Sequence, residues 1–269
     1  MMQIVASAGP TGSCGQGPLK FQSCRVTPRS ACWLVDKLRV FEAVVPNSIW
    51  VAERPVWFSG IRLRSRTTVV RLSDDQLWVH SPCTPTDEVC RELDALGEVR
   101  FVVVPNRYHH LETPATKARY PKALVVGPAS AASRNPRLKL DASVTDLAYQ
   151  HATPELTSIQ VEGVPFLDET VFFHRASGSL IAADLLMSSC SRDHWTSQMA
   201  GRILGHHEKF KVPPDVRWNT RVNDAVARSI EQLQALPVER ILVAHSDAIT
   251  VRPVEQLVKA WNFALPVAL

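Results

Sequence analysis

The order of strand-like and helix-like segments predicts an α/β (α+β) protein folded as a four-layer αββα sandwich. Two observations lead to this prediction. The first half of the chain is rich in strand patterns and contains a strand-helix-strand unit, and the second half is again rich in strand patterns and closes with helices around one last strand. Two sheets packed face to face, with helices on both outer sides, accommodate all of these segments. A chain of 269 residues with 45% hydrophobic side chains is long enough for one such core.

The first 32 residues differ in composition from the rest of the chain. They contain four of the eleven glycines, three basic side chains and no acidic one. Basic, serine-containing leaders without acids are typical of organelle transit peptides, and a disordered tail or a misassigned start codon is the alternative. We therefore place one folded domain at residues 41–265. We expect the protein in the cytoplasm, or in a plastid or mitochondrion where residues 1–32 act as a transit peptide.

Strand patterns begin the folded domain, and they occupy residues 48–52, 61–72 and 76–80. The longest of the three has a run of β-branched side chains, and its arginines alternate outward. A pair of acidic residues, Asp74 and Asp75, marks the turn into the third strand. The three segments predict a β-meander.

A helix pattern follows at residues 87–96. A threonine, Thr84 or Thr86, can cap its start, apolar side chains recur at helical spacing, and a glycine ends it. Residues 101–104 are then an uninterrupted run of four hydrophobic side chains that stops at Pro105, which indicates a buried strand with a defined end. Strand, helix and strand predict a parallel, right-handed βαβ unit.

The second half alternates helices and strands. Helix patterns occupy residues 113–119, 195–209, 222–236 and 254–263. Strand patterns occupy residues 123–126, 157–161, 170–174, 179–183 and 240–245, with a hairpin between the third and the fourth. Residues 128–156 are rich in Pro, Ser, Asn and Asp, and we predict a loop there.

Three of the predicted strands end in side chains that can bind a metal. FVVVPNRYHHL at residues 101–111 delivers His109 and His110 into a loop, GSLIAAD ends at Asp184, and RILVAH ends at His245. Strands of one sheet bring their ends together, so we expect these side chains to converge. The sequence therefore predicts a metal site.

Five short segments carry a further signal, and they follow one another along the chain. They are HSP at residues 80–82, PNRYHHL at 105–111, EGVPFLDETVFFHRAS at 162–177, AADL at 182–185 and VAHSD at 243–247. In these segments the sequence resembles the metallo-β-lactamase superfamily, and within it a branch with a PNxxHH loop and a degenerate HxHxDH motif. The resemblance covers residues 44–249. It implies an αββα sandwich of metallo-β-lactamase type.

The resemblance also implies which metal ligands the chain has kept. Pro105 and Arg107 stand where the first two histidines of the HxHxDH loop belong, so the half of the dinuclear site that uses them is lost. Three imidazoles and one carboxylate remain for the other half, and this set suits one zinc or iron ion. The implied ligands are His109, His110, Asp184 and His245.

These residues imply a mononuclear metal-dependent hydrolase. A metal with an open position would activate water against a small ester, lactone, thioester or phosphoester. Asp184 would take part in catalysis, and Arg107 would hold or polarise an anionic substrate. The alternative is a non-catalytic scaffold or binding protein that keeps the fold after losing half of the dinuclear site. Redox chemistry at a single iron is a third hypothesis.

The remaining histidines are expected to be structural. We expect His80 to be hydrogen-bonded and His174 to end a hairpin strand. His206 and His207 are predicted on a solvated helix face, because adjacent helical residues point in different directions. Ser81 lacks the sequence context of a serine nucleophile.

Net charge and hydropathy argue against nucleic acid and membranes as partners. Three basic residues near the start account for most of the net charge of +4. The remainder of the chain is nearly neutral and lacks the excess of basic residues that is typical of nucleic-acid-binding proteins. No window approaches 18 uninterrupted apolar residues, so no membrane span is predicted. The six cysteines have no CxxC spacing and fit reduced, structural thiols. A small-molecule substrate is the expected partner, and the oligomeric state stays open.

Overall fold

The computed structural model describes residues 39–265, and the predicted leader at residues 1–32 lies outside them. A first sheet contains six strands in sequential order: Glu42–Val45 (β1), Ile49–Phe58 (β2), Ile61–Arg71 (β3), Gln76–His80 (β4), Glu98–Val103 (β5) and Leu124–Val126 (β6). The pairs β1–β2, β2–β3 and β3–β4 are antiparallel, whereas the pairs β4–β5 and β5–β6 are parallel. The predicted meander and βαβ unit are both present.

A second sheet has the order β10-β9-β8-β7. Its strands are Leu156–Gln160 (β7), Thr170–His174 (β8), Ser179–Ile181 (β9) and Arg240–Leu242 (β10). The first three are antiparallel, and β9 and β10 are parallel. The first sheet therefore has two parallel pairs and the second sheet has one, and the carboxyl ends of such strands can build a site.

The helices of the described region flank these sheets. They are Asp87–Leu96 (α1), Thr113–Arg119 (α2), Ala129–Arg134 (α3), Leu147–Ala152 (α4), Trp195–Leu204 (α5), Pro214–Asn219 (α6), Asp224–Gln234 (α7) and Pro253–Trp261 (α8). The side chain of Thr86 caps α1 by accepting a hydrogen bond from the backbone N–H of Val89. None of the helices within residues 39–265 is long and apolar enough to cross a membrane.

Alternation along the strands divides the apolar side chains among three layers. In β4, Trp78 packs between the sheets while Val79 packs outward toward α1. In β8, Phe172 packs between the sheets while Phe173 packs outward toward α7 and α8. The central layer joins both sheets through Ile49, Val51, Val70, Trp78, Phe101, Val103, Phe172, Ile181 and Leu242. This arrangement confirms the predicted αββα sandwich.

Several element boundaries differ from the predicted ones. Strand β2 continues to Phe58, because it pairs with β3 along its full length up to a two-residue turn. Both turn residues, Ser59 and Gly60, have positive φ, as a type I′ hairpin requires. Helix α5 ends at Leu204, because Gly205 adopts a left-handed φ of 73° and caps it. The predicted loop at residues 128–156 contains two short helices, α3 and α4.

Candidate metal centre

The candidate site lies where parallel strands end. His109 follows β5, Asp184 follows β9 and His245 follows β10. Asn106 shapes the first of these loops, because its Oδ1 accepts hydrogen bonds from the backbone N–H of Tyr108 (2.9 Å) and of His109 (3.0 Å). Such Asx-type turns reverse the chain within a few residues.

Three side chains converge at this edge. His109 Nε2 lies 3.2 Å from His245 Nε2 and 3.3 Å from Asp184 Oδ2, and His245 Nε2 lies 3.2 Å from Asp184 Oδ1. Their side chains are only 8%, 11% and 14% exposed for His109, His245 and Asp184, so the site is partly shielded from water. Within residues 39–265, this is the one group of three or more His, Cys, Asp or Glu side chains whose ligand atoms all lie within 4.8 Å.

Hydrogen bonds on the far side of each imidazole orient the ring. His245 Nδ1 lies 2.5 Å from the backbone carbonyl oxygen of Arg64. A carbonyl only accepts, so Nδ1 carries a proton, and Nε2 is the nitrogen that faces the centre. His109 Nδ1 lies 2.6 Å from Ser81 Oγ, which can accept in the same way. Both rings therefore have the support that metal-binding histidines usually have.

The donor set fits a small divalent cation. Tetrahedral coordination with bonds of about 2.0–2.1 Å separates neighbouring ligands by roughly 3.3–3.4 Å. The distance of 3.2 Å between the two Nε2 atoms is close to this edge length, and each imidazole lies 3.2–3.3 Å from one of the two oxygens of Asp184. Two imidazole lone pairs and a carboxylate that face one another repel unless a cation or a proton lies between them. Three protein ligands would leave a fourth position free, as in catalytic zinc sites.

The charges of the cluster are strongly coupled. Burial alone would raise the pKa of Asp184, but the imidazoles of His109 and His245 hold it well below its usual range. Burial alone would lower the pKa of His245, but the hydrogen bond and the charge of Asp184 raise it. The centre therefore retains a negative charge on Asp184 that attracts a cation.

A buried acid that the sequence analysis did not single out supports the aspartate. Glu169 is fully buried, and its carboxyl accepts hydrogen bonds from the backbone N–H of Ala183 (2.6 Å) and of Asp184 (3.0 Å). Asn106 Nδ2 donates to Asp184 Oδ2 at 2.9 Å and lies 3.4 Å from Glu169 Oε2. Burial and the nearby charge of Asp184 raise the pKa of Glu169 to about 8. Glu169 lies within the segment 162–177 that carries the resemblance, but the sequence alone did not indicate its role, because its partners are distant along the chain.

An ion-pair network fixes the loop that contains His245. Arg64 Nη1 lies 2.7 Å from Asp247 Oδ1, and the backbone carbonyl of the same arginine accepts from His245. The prediction that the arginines of β3 point outward is wrong for Arg66, which is buried because its Nη1 donates to the carbonyl of Val243 at 2.8 Å. The first sheet thus holds a ligand that the second sheet supplies.

The structure separates the other two predicted site residues from the cluster. The side chain of His110 is buried, and its Nδ1 lies 3.3 Å from Asn135 Nδ2. Arg107 Nη1 donates to the carbonyl of Phe166 at 3.4 Å, and its guanidinium lies 5.9 Å from the ring centre of Tyr108. Of the predicted set, His109, Asp184 and His245 are brought together.

Two expectations for the remaining histidines are wrong. His80 makes no hydrogen bond within the described residues and instead stacks on Trp78, because its neighbours are aromatic rings. His206 is buried rather than solvated, because α5 ends before it and the chain turns back against Ser189. His174 does end the hairpin strand β8, where its Nδ1 pairs with Ser177 Oγ at 2.8 Å.

A cavity of about 250 Å³ opens on the three clustered ligands. The hairpin β2–β3, the loops after β4, β5, β7, β9 and β10, and the start of α6 supply its walls. Ser81 lines the cavity in a left-handed conformation with φ of 51°. Such conformations are uncommon for residues other than glycine, and they concentrate at functional sites.

Comparison with known proteins supports the fold and adds a family. The family model described as "Domain of unknown function (DUF4336)" matches residues 46–193. No curated protein matches the sequence.

Solved structures of metallo-β-lactamases are similar in fold. The enzyme from Pontibacter korlensis has a TM-score of 0.56 and 12% identity, over 82% of this chain and 99% of that chain. The enzyme from Hirschia baltica has a TM-score of 0.58 and 8% identity, over 86% and 100%. FIM-1 from Pseudomonas aeruginosa, solved in a mono-zinc form, has a TM-score of 0.57 and 11% identity, over 84% and 96%. These similarities show that the chain has the metallo-β-lactamase fold that the sequence motifs implied.

Proposed function

The chain belongs to the DUF4336 family and has the metallo-β-lactamase fold, and from this premise we propose that it is a mononuclear metal-dependent hydrolase. The observation that supports the proposal is the convergence of His109, Asp184 and His245 at ligand-to-ligand distances of 3.2–3.3 Å beside a cavity. Zinc and iron both suit two imidazoles and a carboxylate. The substrates we propose are small esters, lactones, thioesters or phosphoesters.

Each side chain has a defined part in this proposal. When bound, such an ion would lower the pKa of water and polarise the carbonyl or phosphoryl oxygen of the substrate. His109 and His245 offer Nε2, because Ser81 and the carbonyl of Arg64 engage Nδ1 on each ring. Asp184 supplies negative charge, and its second oxygen can orient a water molecule or accept its proton.

Metal analysis of purified protein tests the proposal. Wild type, Asp184→Asn and His245→Ala are purified without chelator and without a metal-binding tag, and their metal content is measured by plasma mass spectrometry. We expect about one equivalent of zinc or iron in the wild type and less than a tenth of that in both variants. His174→Ala, which removes a histidine at the far end of β8, is the control and retains the metal.

The same measurement decides the number of ligands. His110 belongs to the predicted ligand set, but its side chain lies against Asn135. If three ligands suffice, His110→Ala retains the metal. A folded wild type that stays metal-free after incubation with zinc and with iron(II) would overturn the hydrolase proposal in favour of a binding scaffold.

A further inference from the structure

The walls of the cavity are mainly apolar. The apolar side chains that line it include Trp57, Phe58 and Leu63 of the β2–β3 hairpin, together with Tyr108, Phe166 and Val216 from later segments. Its volume of about 250 Å³ is just below the roughly 300–1,000 Å³ of pockets for drug-sized ligands. A small substrate with a hydrophobic group fits these walls.

Apart from the clustered side chains and an ion that they would hold, the walls of the cavity give an anionic ligand little electrostatic support. Apart from the clustered ligands, the charged side chains that line it within the described region are Arg54, Glu112 and Asp215. Two carboxylates thus oppose one guanidinium, and that guanidinium already contacts the carbonyl of Glu53 at 3.3 Å. Binding sites for phosphate usually gather several cationic groups or backbone N–H donors.

The nearby arginines do not change this balance. Arg107 and Arg134 lie 5.9 Å and 4.6 Å from the ring centre of Tyr108, and neither lines the cavity. The ring of Tyr108 does line the cavity. Their guanidinium groups therefore pack on the aromatic ring and are not presented to a substrate.

Resting on the proposed hydrolase function, we propose that the cavity selects neutral carboxylic esters or lactones with a hydrophobic chain and excludes phosphoesters and other anionic substrates. In this reaction the oxygen of water bonds to the acyl carbon, the ester C–O bond breaks, and the alcohol leaves with a proton. The product acid is an anion at neutral pH. Glu112 and Asp215 repel it, which favours its release.

Matched pairs of substrates test this selection with the zinc-loaded protein. We expect kcat/KM to rise roughly fourfold for each added methylene from p-nitrophenyl acetate to the hexanoate, as burial of apolar chain predicts. The hemisuccinate ester is similar in size to the pentanoate but carries a carboxylate, and we expect it to react at least tenfold more slowly. Bis(p-nitrophenyl) phosphate should react more slowly still.

Variants of the lining show whether charge causes the selection. The gap between the pentanoate and the hemisuccinate is the ratio of their kcat/KM values. Replacing both acids, Glu112→Gln with Asp215→Asn, should narrow this gap at least threefold. Glu231→Gln removes an exposed acid of α7 that lies outside the cavity, and it should leave the gap unchanged. Circular dichroism checks that the variants are folded.

The outcomes separate this inference from the proposed function. Metal-dependent turnover with a preference for the phosphodiester or the hemisuccinate would refute the substrate class and keep the hydrolase. If no ester or phosphoester is turned over, ligand binding can still be measured, because a ligand in the cavity should quench the fluorescence of Trp57, which lines it. Quenching by the neutral ketone hexanophenone but not by hexyl phosphate supports an apolar neutral ligand, provided that the quenching is lost in Trp57→Phe. Quenching by hexyl phosphate but not by hexanophenone overturns the inference.

Discussion

Ser81 Oγ lies 2.6 Å from Nδ1 of His109, although the backbone of Ser81 must adopt a left-handed φ of 51° to place it there. The residue follows β4, and its own carbonyl accepts a hydrogen bond from Thr67 Oγ1 at 2.8 Å. The strained backbone thus holds the hydroxyl against a proposed metal ligand. Partners of this kind orient a ligand ring and fix its tautomer.

Removal of this hydroxyl should weaken metal binding without unfolding the protein. For Ser81→Ala we expect the Kd for zinc to rise about 10- to 100-fold, because His109 loses the partner that fixes its tautomer. Competition with a chromophoric chelator measures the Kd. Ser65→Ala removes another hydroxyl from the cavity wall and should leave it unchanged. Equal affinities for wild type and Ser81→Ala would show that Ser81 does not position His109.

Glu169 should stabilise the fold, because its carboxyl is the acceptor for two buried backbone N–H groups. Glu169→Met keeps the length of the side chain but leaves the backbone N–H groups of Ala183 and Asp184 without acceptors. Two unpaired buried donors should lower the free energy of unfolding by about 2–4 kcal/mol in urea denaturation. Glu155→Met, which removes a more exposed acceptor for Ser73, should cost less than about 1 kcal/mol. Similar losses for both variants would argue against this role.

His80 should make the fold sensitive to acid. Its burial, and then the nearby charge of His109, lower its pKa to about 3, while Asp184 opposes the shift. The unfolded chain titrates near 6.5, so it binds one more proton than the folded chain between these values. Stability is therefore lost as the pH falls below about 6.5, by up to about 1.4 kcal/mol per pH unit.

The variant His80→Phe tests this sensitivity. It keeps an aromatic ring beside Trp78 and removes two buried nitrogen atoms that have no partner in the described region. We expect greater stability than wild type at pH 7, and an advantage that widens toward pH 4, in urea denaturation with EDTA present. His151→Phe, at an exposed position of α4, should follow the wild-type pH dependence. A constant difference between pH 7 and pH 4 would contradict the assignment.

Replacement of Arg64 by lysine should destabilise the fold, although the charge is kept. Its guanidinium contacts Asp193 through Nε at 2.5 Å and Asp247 through Nη1 at 2.7 Å, and a single ammonium group cannot reproduce this fork. Arg64→Lys should lower the free energy of unfolding by about 1 kcal/mol in low salt and by less in high salt. Thermal unfolding at two salt concentrations measures both values. Arg62→Lys, on the exposed face of β3, should behave like wild type in each.

The sequence was sufficient to predict the layers of the fold, and the four ligands that it implied include all three clustered side chains. Asp184 and His245 end apolar strand patterns, and strand ends converge whatever the loops do. The sequence could not choose between His109 and His110, because adjacent residues differ only in direction. That direction depends on the turn around Asn106, whose side chain caps two backbone N–H groups.

Other features depend on contacts between distant segments. Glu169 reaches the loop of Asp184 only after the strands β8 and β9 pair. The expectation that His80 is hydrogen-bonded failed because its surroundings, Trp78 and Phe172, come from opposite sheets. Periodicity shows which face of a strand is buried, but it does not show what lies on the other side of the interface.

The hairpin β2–β3 has a consequence for anyone who wishes to redesign the protein. Its outer part forms a cavity wall through Trp57 and Leu63, and only one residue beyond Leu63 the carbonyl of Arg64 orients His245. Substrate preference and metal affinity therefore share one piece of backbone. A grafted or shortened hairpin would change both properties together, so the redesign of selectivity should proceed by side-chain replacement with the register of β2 and β3 preserved.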